Sequence, residues 1–542
     1  MKLDPRRVLA KSEIGRVGEL NYVARFNQNY GFENGVFEFL LRQKDLWADK
    51  LFYVPEQQLL RWIQTGSHPV RELPLLAIDL YVADYELVPI SLDQFLLRFG
   101  SIADIDLTVI KSGSEGKYAL KTGQSVSLNS KFGRHALAMH VGGRVTALKW
   151  APYADKPYLA VYVINSDEDI KATVAHPELS IFPGKPKIGA LIKSAIQIWQ
   201  YDPNLSLLSL QRVIDTSCFG ATSDLRWSPA RFETHVIGVL SGAFADGSVH
   251  FFKISDTSLA PVYEQAVRSS YTVSCKNQRC NSKSEHVPIT SFDFLDHRKI
   301  IVGTFDGAIA EYIVGTNQST ELSSTPSFVQ FIAEAAIKSV TVGRVDDAHI
   351  ILCHTMGNQG CALHYENLRF GRVYIDYTNS LVRPTYHAPL RAFVVPDSAE
   401  SLSLAYARHP QLKASVIIKS ELVSSFHTSE YLSHPFAIVG SILGQVFVVN
   451  MSRKIFAMPK GQQRFVIPLK IWSLYQTAGS AGFTLNGDYE QVASDRSSVV
   501  YTFTPPEVVI LASAWNETIQ GSSAYAFGTY TGLFVVERLD NE

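Results

Sequence analysis

Two cysteines, Cys275 and Cys280, stand five positions apart with His286 nearby, which is the beginning of a tetrahedral metal site. A second ligand pair is missing, so this stretch reads as a polar loop with incidental thiols, and no metal and no other cofactor is expected. Ser112 to Lys117, SGSEGK, has a Gly-Lys pair but lacks the spacing and the following hydroxyl residue of a phosphate loop. Nucleophile elbow, HExxH helix and kinase signatures are all missing, the histidines are scattered, and no catalytic residue is expected. What remains is charge and aromatic surface. Arg268, Lys276, Arg279 and Lys283 come before the first acid of their stretch, Glu285, with Tyr271 among them. The simpler reading is a solvated loop; the sharper one is a finger that contacts nucleic-acid phosphates, since a few cations suffice for backbone contact. Downstream, Gly461 to Glu507 mixes Phe465, Trp472, Tyr475, Phe483, Tyr489, Tyr501 and Phe503 with polar residues. Packing onto the rim of its own fold competes there with partner binding, for which Phe465, Trp472 and Tyr475 are the candidates.

These candidates interrupt a repeated unit. Ile289 to Val314, ITSFDFLDHRKIIVGTFDGAIAEYIV, reads as three short antiparallel strands, with Asp306-Gly307 as a two-residue turn in which glycine accepts positive φ. The hairpin GTFDGAIAEYI recurs as GSILGQVFVVN (Gly440 to Asn450) and GTYTGLFVVER (Gly528 to Arg538), and with one extra residue as GAFADGSVHFF (Gly242 to Phe252). Such self-similarity is the signature of a repeat fold, and sheets that must bury both faces against their neighbours close into a ring.

The expected fold is all-β: a seven-bladed WD-repeat-type propeller over 133–542, with a mainly helical N-terminal extension over 1–132. First strands are expected to begin near Val145, Asp224, Ile289, Ile337, Leu390, Leu422 and Val508, with insertions near 166–193, 256–287 and 452–506. In the extension, a basic arm (Arg6, Arg7, Lys11, Arg16) is followed by helical spacing over Glu33 to Gln64. A capping box at Ser91-x-x-Gln94 then starts a helix whose buried stripe is Leu92, Phe95, Leu96 and Phe99. IDLTVI (Ile105 to Ile110) and QSVSL (Gln124 to Leu128) read as strands. The last blade has only three strands before the sequence ends, so a strand from within Ile102 to Leu128 is expected to pair beside Leu533 to Leu539 and close the ring.

Composition supplies a large core, with 46% hydrophobic and 11% aromatic residues. A net charge of −1 gives no global field toward nucleic acid or anionic membrane. Five cysteines at irregular spacing fit a reducing compartment, and neither a secretory leader nor a membrane-spanning run is expected.

Trp150 in LKWAP and Trp227 in LRWSP occupy equivalent places, and the simpler reading makes them fillers of the gap between blades. The longer phrases are more specific. HVGGRVTALKWAPYADKPYLAVYVIN (His140 to Asn165), then AIQIWQYD, ATSDLRWSP and VIGVLSGAFADGSVHFFKI, resemble the WD-repeat subunit of the B-box-binding (tau B) half of RNA polymerase III transcription factor IIIC. The resemblance is close over Gly142 to Ile254 and generic beyond. It implies a non-catalytic nuclear scaffold that pairs with a second propeller subunit and other factor IIIC subunits and meets tRNA-gene promoter DNA through the complex, with no membrane partner. The alternative is another WD-repeat adaptor, in a chromatin or ubiquitin-ligase assembly.

Overall fold

The computed structural model describes residues 29–31, 86–99, 103–165, 193–202, 207–222, 224–232, 235–256, 261–276, 286–314, 325–345, 348–368, 372–376, 382–398, 401–418, 422–428, 434–456, 468–476, 482–492, 505–518, 521 and 523–539. Four strands come first, β1 to β4 (Glu86–Pro89, Ile105–Lys111, Ser114–Leu120, Ser125–Ser127), with helix α1 (Leu92–Phe99) after β1. Then follow β5 (Ala136–His140) and β6 to β9 (Arg144–Trp150, Tyr158–Ile164, Ser194–Asp202, Leu207–Asp215). The next group is β10 to β16 (Leu225–Trp227, Val236–Ala243, Val249–Ser255, Val262–Arg268, Tyr271–Val273, Cys275–Lys276, His286–Val287). β17 to β20 are Ile289–Phe294, Lys299–Thr304, Ala308–Ile313 and Phe328–Phe331, and β21 to β24 are Ile337–Val345, Ala348–Thr355, Gln359–His364 and Arg372–Asp376. β25 to β28 are Thr385–His387, Ala392–Ser398, Ser401–Tyr406 and Lys413–Ile418. Last come β29 to β34 (Val423–Thr428, Phe436–Ser441, Gln445–Asn450, Leu469–Gln476, Phe483–Asn486, Glu490–Gln491) and β35 to β37 (Ile510–Trp515, Ala524–Thr529, Leu533–Arg538).

The sheets run outward from β6, β10, β17, β21, β25, β29 and β35, here called the first to seventh sheets, and β15 and β16 form a small separate pair. These first strands meet in turn around a closed circuit: β6 touches β10, β11 touches β17, then β21, β25, β29 and β35 follow, and β35 returns to β6. The described residues are therefore a nearly all-β, WD-like propeller. Its cores lie between sheets. One cluster joins Ala147 and Ile196 of the first sheet to Leu240 and Phe252 of the second, and another joins Val446 and Trp472 of the sixth to Phe527 and Val535 of the seventh. Strands buried on both faces read as unbroken apolar runs, as Tyr158–Ile164 does.

The repeated glycines have two different causes. Gly307, Gly444, Gly532 and Gly247 all turn with positive φ. Gly303 instead lies under the next sheet, where an added Cβ would sit 2.4 Å from Ile337, and Gly440 and Gly528 meet Ile510 and Val145 in the same way. A further regularity lies in the first strands. β17, β21, β29 and β35 each carry a bulge after their first residue, and β6 after its second. At the bulged-out position Thr146, Thr290 and Ser424 donate to the backbone carbonyls of Thr222, in the segment leading into β10, of Ile337 in β21 and of Ile510 in β35.

Several expectations change here. The strand paired with β37 is β5, antiparallel from Leu533 opposite His140 to Glu537 opposite Ala136, and it lies downstream of the Ile102 to Leu128 window. β4, within QSVSL, adds outside β5, while IDLTVI forms β2, which pairs in parallel with β33 of the sixth sheet. The predicted first strand at Leu390 is the second strand of its sheet, β26; the innermost is the short β25. The capping box at α1 is present, with Ser91 N–H on Gln94 Oε1 at 3.0 Å and Gln94 N–H on Ser91 Oγ at 3.1 Å. Its buried stripe narrows to Phe95 and Phe99, because Leu92 and Leu96 are exposed. The N-terminal arm and the helical pattern of Glu33 to Gln64 lie outside the described residues.

Candidate functional site

The first strands converge on a cavity of about 190 Å³ lined by Lys149, Asp224, Arg226, Arg383, Ser424 and His427, among others. Lys149 and Arg226 each stand immediately before the repeated tryptophan. The tryptophans fix those backbones: Trp150 Nε1–H donates to Ala514 O at 3.4 Å and Trp227 Nε1–H to Lys149 O at 3.1 Å, each reaching the preceding sheet. Arg226 is held by Asp293 at 2.9 Å and lies 3.6 Å from Asp224, which also pairs with Arg383. The other oxygen of Asp293 accepts the Val342 N–H at 2.7 Å, so one carboxylate links three successive sheets. Burial, and then the Arg383 charge, press Lys338 down to about 8. His427 is held well below its ordinary value by burial, then by Lys149, Arg226 and His434. Its Nδ1 accepts the Trp515 N–H at 3.1 Å and its Nε2 lies 2.9 Å from Lys149 Nζ. The set can hold a polar group by charge and hydrogen bonds. Among the described residues no cluster of three or more His, Cys, Asp or Glu is placed to hold a metal.

The stretches singled out by sequence are placed differently from one another. Arg268 is exposed at the end of β13, opposite Glu86, and Lys276 is in β15 opposite His286; Arg279 and Lys283 lie outside the described residues, as does Cys280. Part of this segment is sheet: β13 runs parallel to β9 in the first sheet, between β9 and the outermost strand β1, and β14 is the outer strand of the second. Tyr271 belongs to that packing, its ring 5.8 Å from Phe251. Burial pushes the Cys275 thiol up.

In the aromatic stretch, Phe465, Tyr501 and Phe503 lie outside the described residues. Trp472 is 1% exposed, on β32, and Nε1–H donates to Tyr525 Oη and Glu537 Oε2, both at 2.8 Å. It is an internal packing residue and not an exposed anchor. Arg134, unnoticed in the sequence, lies 4.0 Å over the Trp472 ring and 4.4 Å from Tyr489, and its guanidinium pairs with Glu537. Burial opposes the Arg134 charge, but Glu537 outweighs it and holds its pKa above the ordinary value. Tyr475, on the same strand, remains exposed. A second exposed apolar group gathers at β1, α1 and β13: Val88, Leu92, Leu96, Leu97 and Val267. No helix among the described residues is long and apolar enough to cross a membrane.

The sequence signal missed for the channel was the cation before each tryptophan in LKWAP and LRWSP. Arg134, Glu537 and Arg383 carry no local pattern.

Fold and channel define a class, a WD-like propeller with a charged centre. No family model matches the chain. It is similar to the transcription factor tau 91 kDa subunit of Saccharomyces cerevisiae, 23% identical over 434 residues, 75% of this chain and 58% of that protein. The chain thus spans little more than half the length of that relative. Chaetomium thermophilum Raptor, a solved structure, is 11% identical with a TM-score of 0.44, over 75% of this chain and 28% of that one.

Proposed function

We propose that this chain is a non-catalytic, seven-bladed scaffold subunit of RNA polymerase III transcription factor IIIC, acting in the nucleus. The observation that carries the reading is the similarity to the tau 91 kDa subunit over 434 residues. That length reaches well beyond the phrases around Trp150 and Trp227 and includes blades that carry no distinctive phrase. The seven-blade count rests on the circuit of seven first strands. In this reading the propeller pairs with a second propeller subunit and supports B-box recognition at tRNA-type genes, with promoter DNA met through the complex. Tyr475 and Phe465 belong to the partner surface, and Arg268, Lys276, Arg279 and Lys283 supply any phosphate contacts.

Affinity purification of the tagged full chain from nuclear extract tests the role. Recovery of the other factor IIIC polypeptides together with tRNA-gene promoter fragments is expected. Stable recovery of chromatin or ubiquitin-ligase subunits instead would replace this reading by that of a different adaptor. With the assembled complex, changing the four cations to Ser should flatten the log-log salt dependence of DNA binding by about one unit per lost phosphate contact. An unchanged slope leaves that segment without a DNA role.

A further inference from the structure

Counted from the bulge, Lys149 of β6, His427 of β29 and Ala514 of β35 occupy the same place in three neighbouring first strands. Ala514 is on the middle strand, and Lys149 and His427 meet from the strands on either side of it. The two groups do not satisfy one another. A neutral imidazole carries one N–H, and His427 Nδ1 accepts the Trp515 N–H at 3.1 Å, so the proton sits on Nε2. A lysine ammonium has three donors and no acceptor. Lys149 Nζ and the His427 Nε2–H are therefore two donors 2.9 Å apart with no acceptor between them.

The nearby acids do not supply that acceptor. Glu517 Oε1 is 3.9 Å from Nε2, beyond hydrogen-bond reach, while Asp224 and Asp293 are engaged by Arg226 and Arg383. On the strand between, Ser513 is 93% buried by its 7% exposure, lines the same cavity and has an Oγ with no hydrogen-bond partner. Donors on three adjacent strands thus line one cavity of about 190 Å³. A water's share of liquid volume is about 30 Å³, so there is room for one small polyatomic anion and its hydration.

We propose that this corner of the channel binds a compact oxyanion, a carboxylate or phosphate group, whose oxygens accept from Lys149 Nζ and His427 Nε2–H. The anion reaches it either free in solution as phosphate or on an acidic peptide that enters the channel. Arg226 and Arg383 line the same cavity, but Asp293 and Asp224 meet their charges, so Lys149 is the cation left to the anion.

The test uses the full chain at constant ionic strength, with sodium chloride replaced stepwise by inorganic phosphate or by hepta-glutamate. Binding is read by calorimetric titration and by the melting temperature. Saturable binding of at least one probe is expected, weakened roughly tenfold or more in Lys149→Met, as loss of a charge-assisted hydrogen bond requires, and largely kept in Lys149→Arg. Phosphate alone binding assigns the site to free phosphate; hepta-glutamate alone binding assigns it to an acidic peptide. No saturable effect of either probe on the parent beyond chloride overturns the proposal, and that arm needs no variant to fold. Equal binding by parent and Lys149→Met overturns it as well.

Discussion

The third sheet is local throughout: its strands are consecutive in the chain, and the turn from β18 to β19 is closed by Thr304 Oγ1 on Ala308 O, four residues on, at 2.9 Å. The seventh sheet takes β35, β36 and β37 from one end of the described chain and β5 and β4 from the other. Its buried ion pair joins residues 403 positions apart. Closing a loop about a hundredfold longer costs about 4 kcal/mol more by the logarithmic rule. The two sheets meet this difference with different means. The third relies on turn glycines and on the hydroxyl of Thr290. The seventh adds a fully buried β5, the Arg134–Glu537 pair, and Trp472, Tyr489 and Tyr525 around it. Long-range closure in this molecule is thus concentrated in a few expensive side chains, where local closure is spread over many inexpensive ones.

The strongest way to break the contrast is to remove β5. A fragment starting at Val141 leaves β37 with an open hydrogen-bonding edge and should aggregate on expression. One starting at Gly133 keeps β5 and Arg134 but loses Ile105, Leu107, Val109 and Leu120 from the core shared by the sixth and seventh sheets. It should stay soluble and melt cooperatively at a lower temperature than the full chain. Equal behaviour of the two fragments would show that β5 does not close the ring.

Next comes Arg134→Met, which strands the Glu537 carboxylate inside the protein. A loss of about 3 to 5 kcal/mol is expected in denaturant unfolding, and the double change Arg134→Met with Glu537→Leu should recover much of it, because a buried pair removed whole costs less than a pair broken. Additive losses would mean that the two residues act independently.

Sequence made the local half of this contrast visible and hid the other. The glycine hairpins, the capping box at Ser91 and the tryptophans pinning neighbouring blades are all short-range patterns, in which one residue's neighbours dictate its type. β5, ALAMH, is buried on both faces, so it has no alternation to mark it as a strand. β25 is three residues long and follows Pro384, too little for a pattern. Arg134 and Glu537 look like any surface pair until the fold brings them together. The channel stood between these cases: Lys149 and Arg226 recur before each tryptophan, but the acids that hold Arg226 and the histidine that faces Lys149 come from other sheets.

Backbone conformation and contact separate at two glycines. Gly307 and Gly113 have nearly equal φ, +83° and +81°, yet a Cβ on Gly307 would fall 1.7 Å from Ala333 O while one on Gly113 would meet nothing within 4 Å. Replacing either by Val carries the conformational penalty, about 1 to 3 kcal/mol. At Gly307 the collision with backbone adds to it, so the melting temperature of Gly307→Val should fall well below that of Gly113→Val. Equal shifts would assign the whole effect to φ.

The smallest expected effect concerns the hydroxyl latches between consecutive sheets. Thr290 donates to Ile337 O, whereas the same bulge position is Lys338 in the fourth sheet and Leu511 in the seventh, neither of which carries a hydroxyl. Thr290→Val keeps the side-chain volume and removes only the donor, so a loss of about 1 kcal/mol is expected, with Ser424→Ala comparable. Because the latches sit on separate boundaries with no shared partner, the double variant should show the sum of the two losses within about 0.5 kcal/mol. A double loss well above that sum would mean that even separated boundaries open together, and the local joins would then be as cooperative as the long-range one at β5.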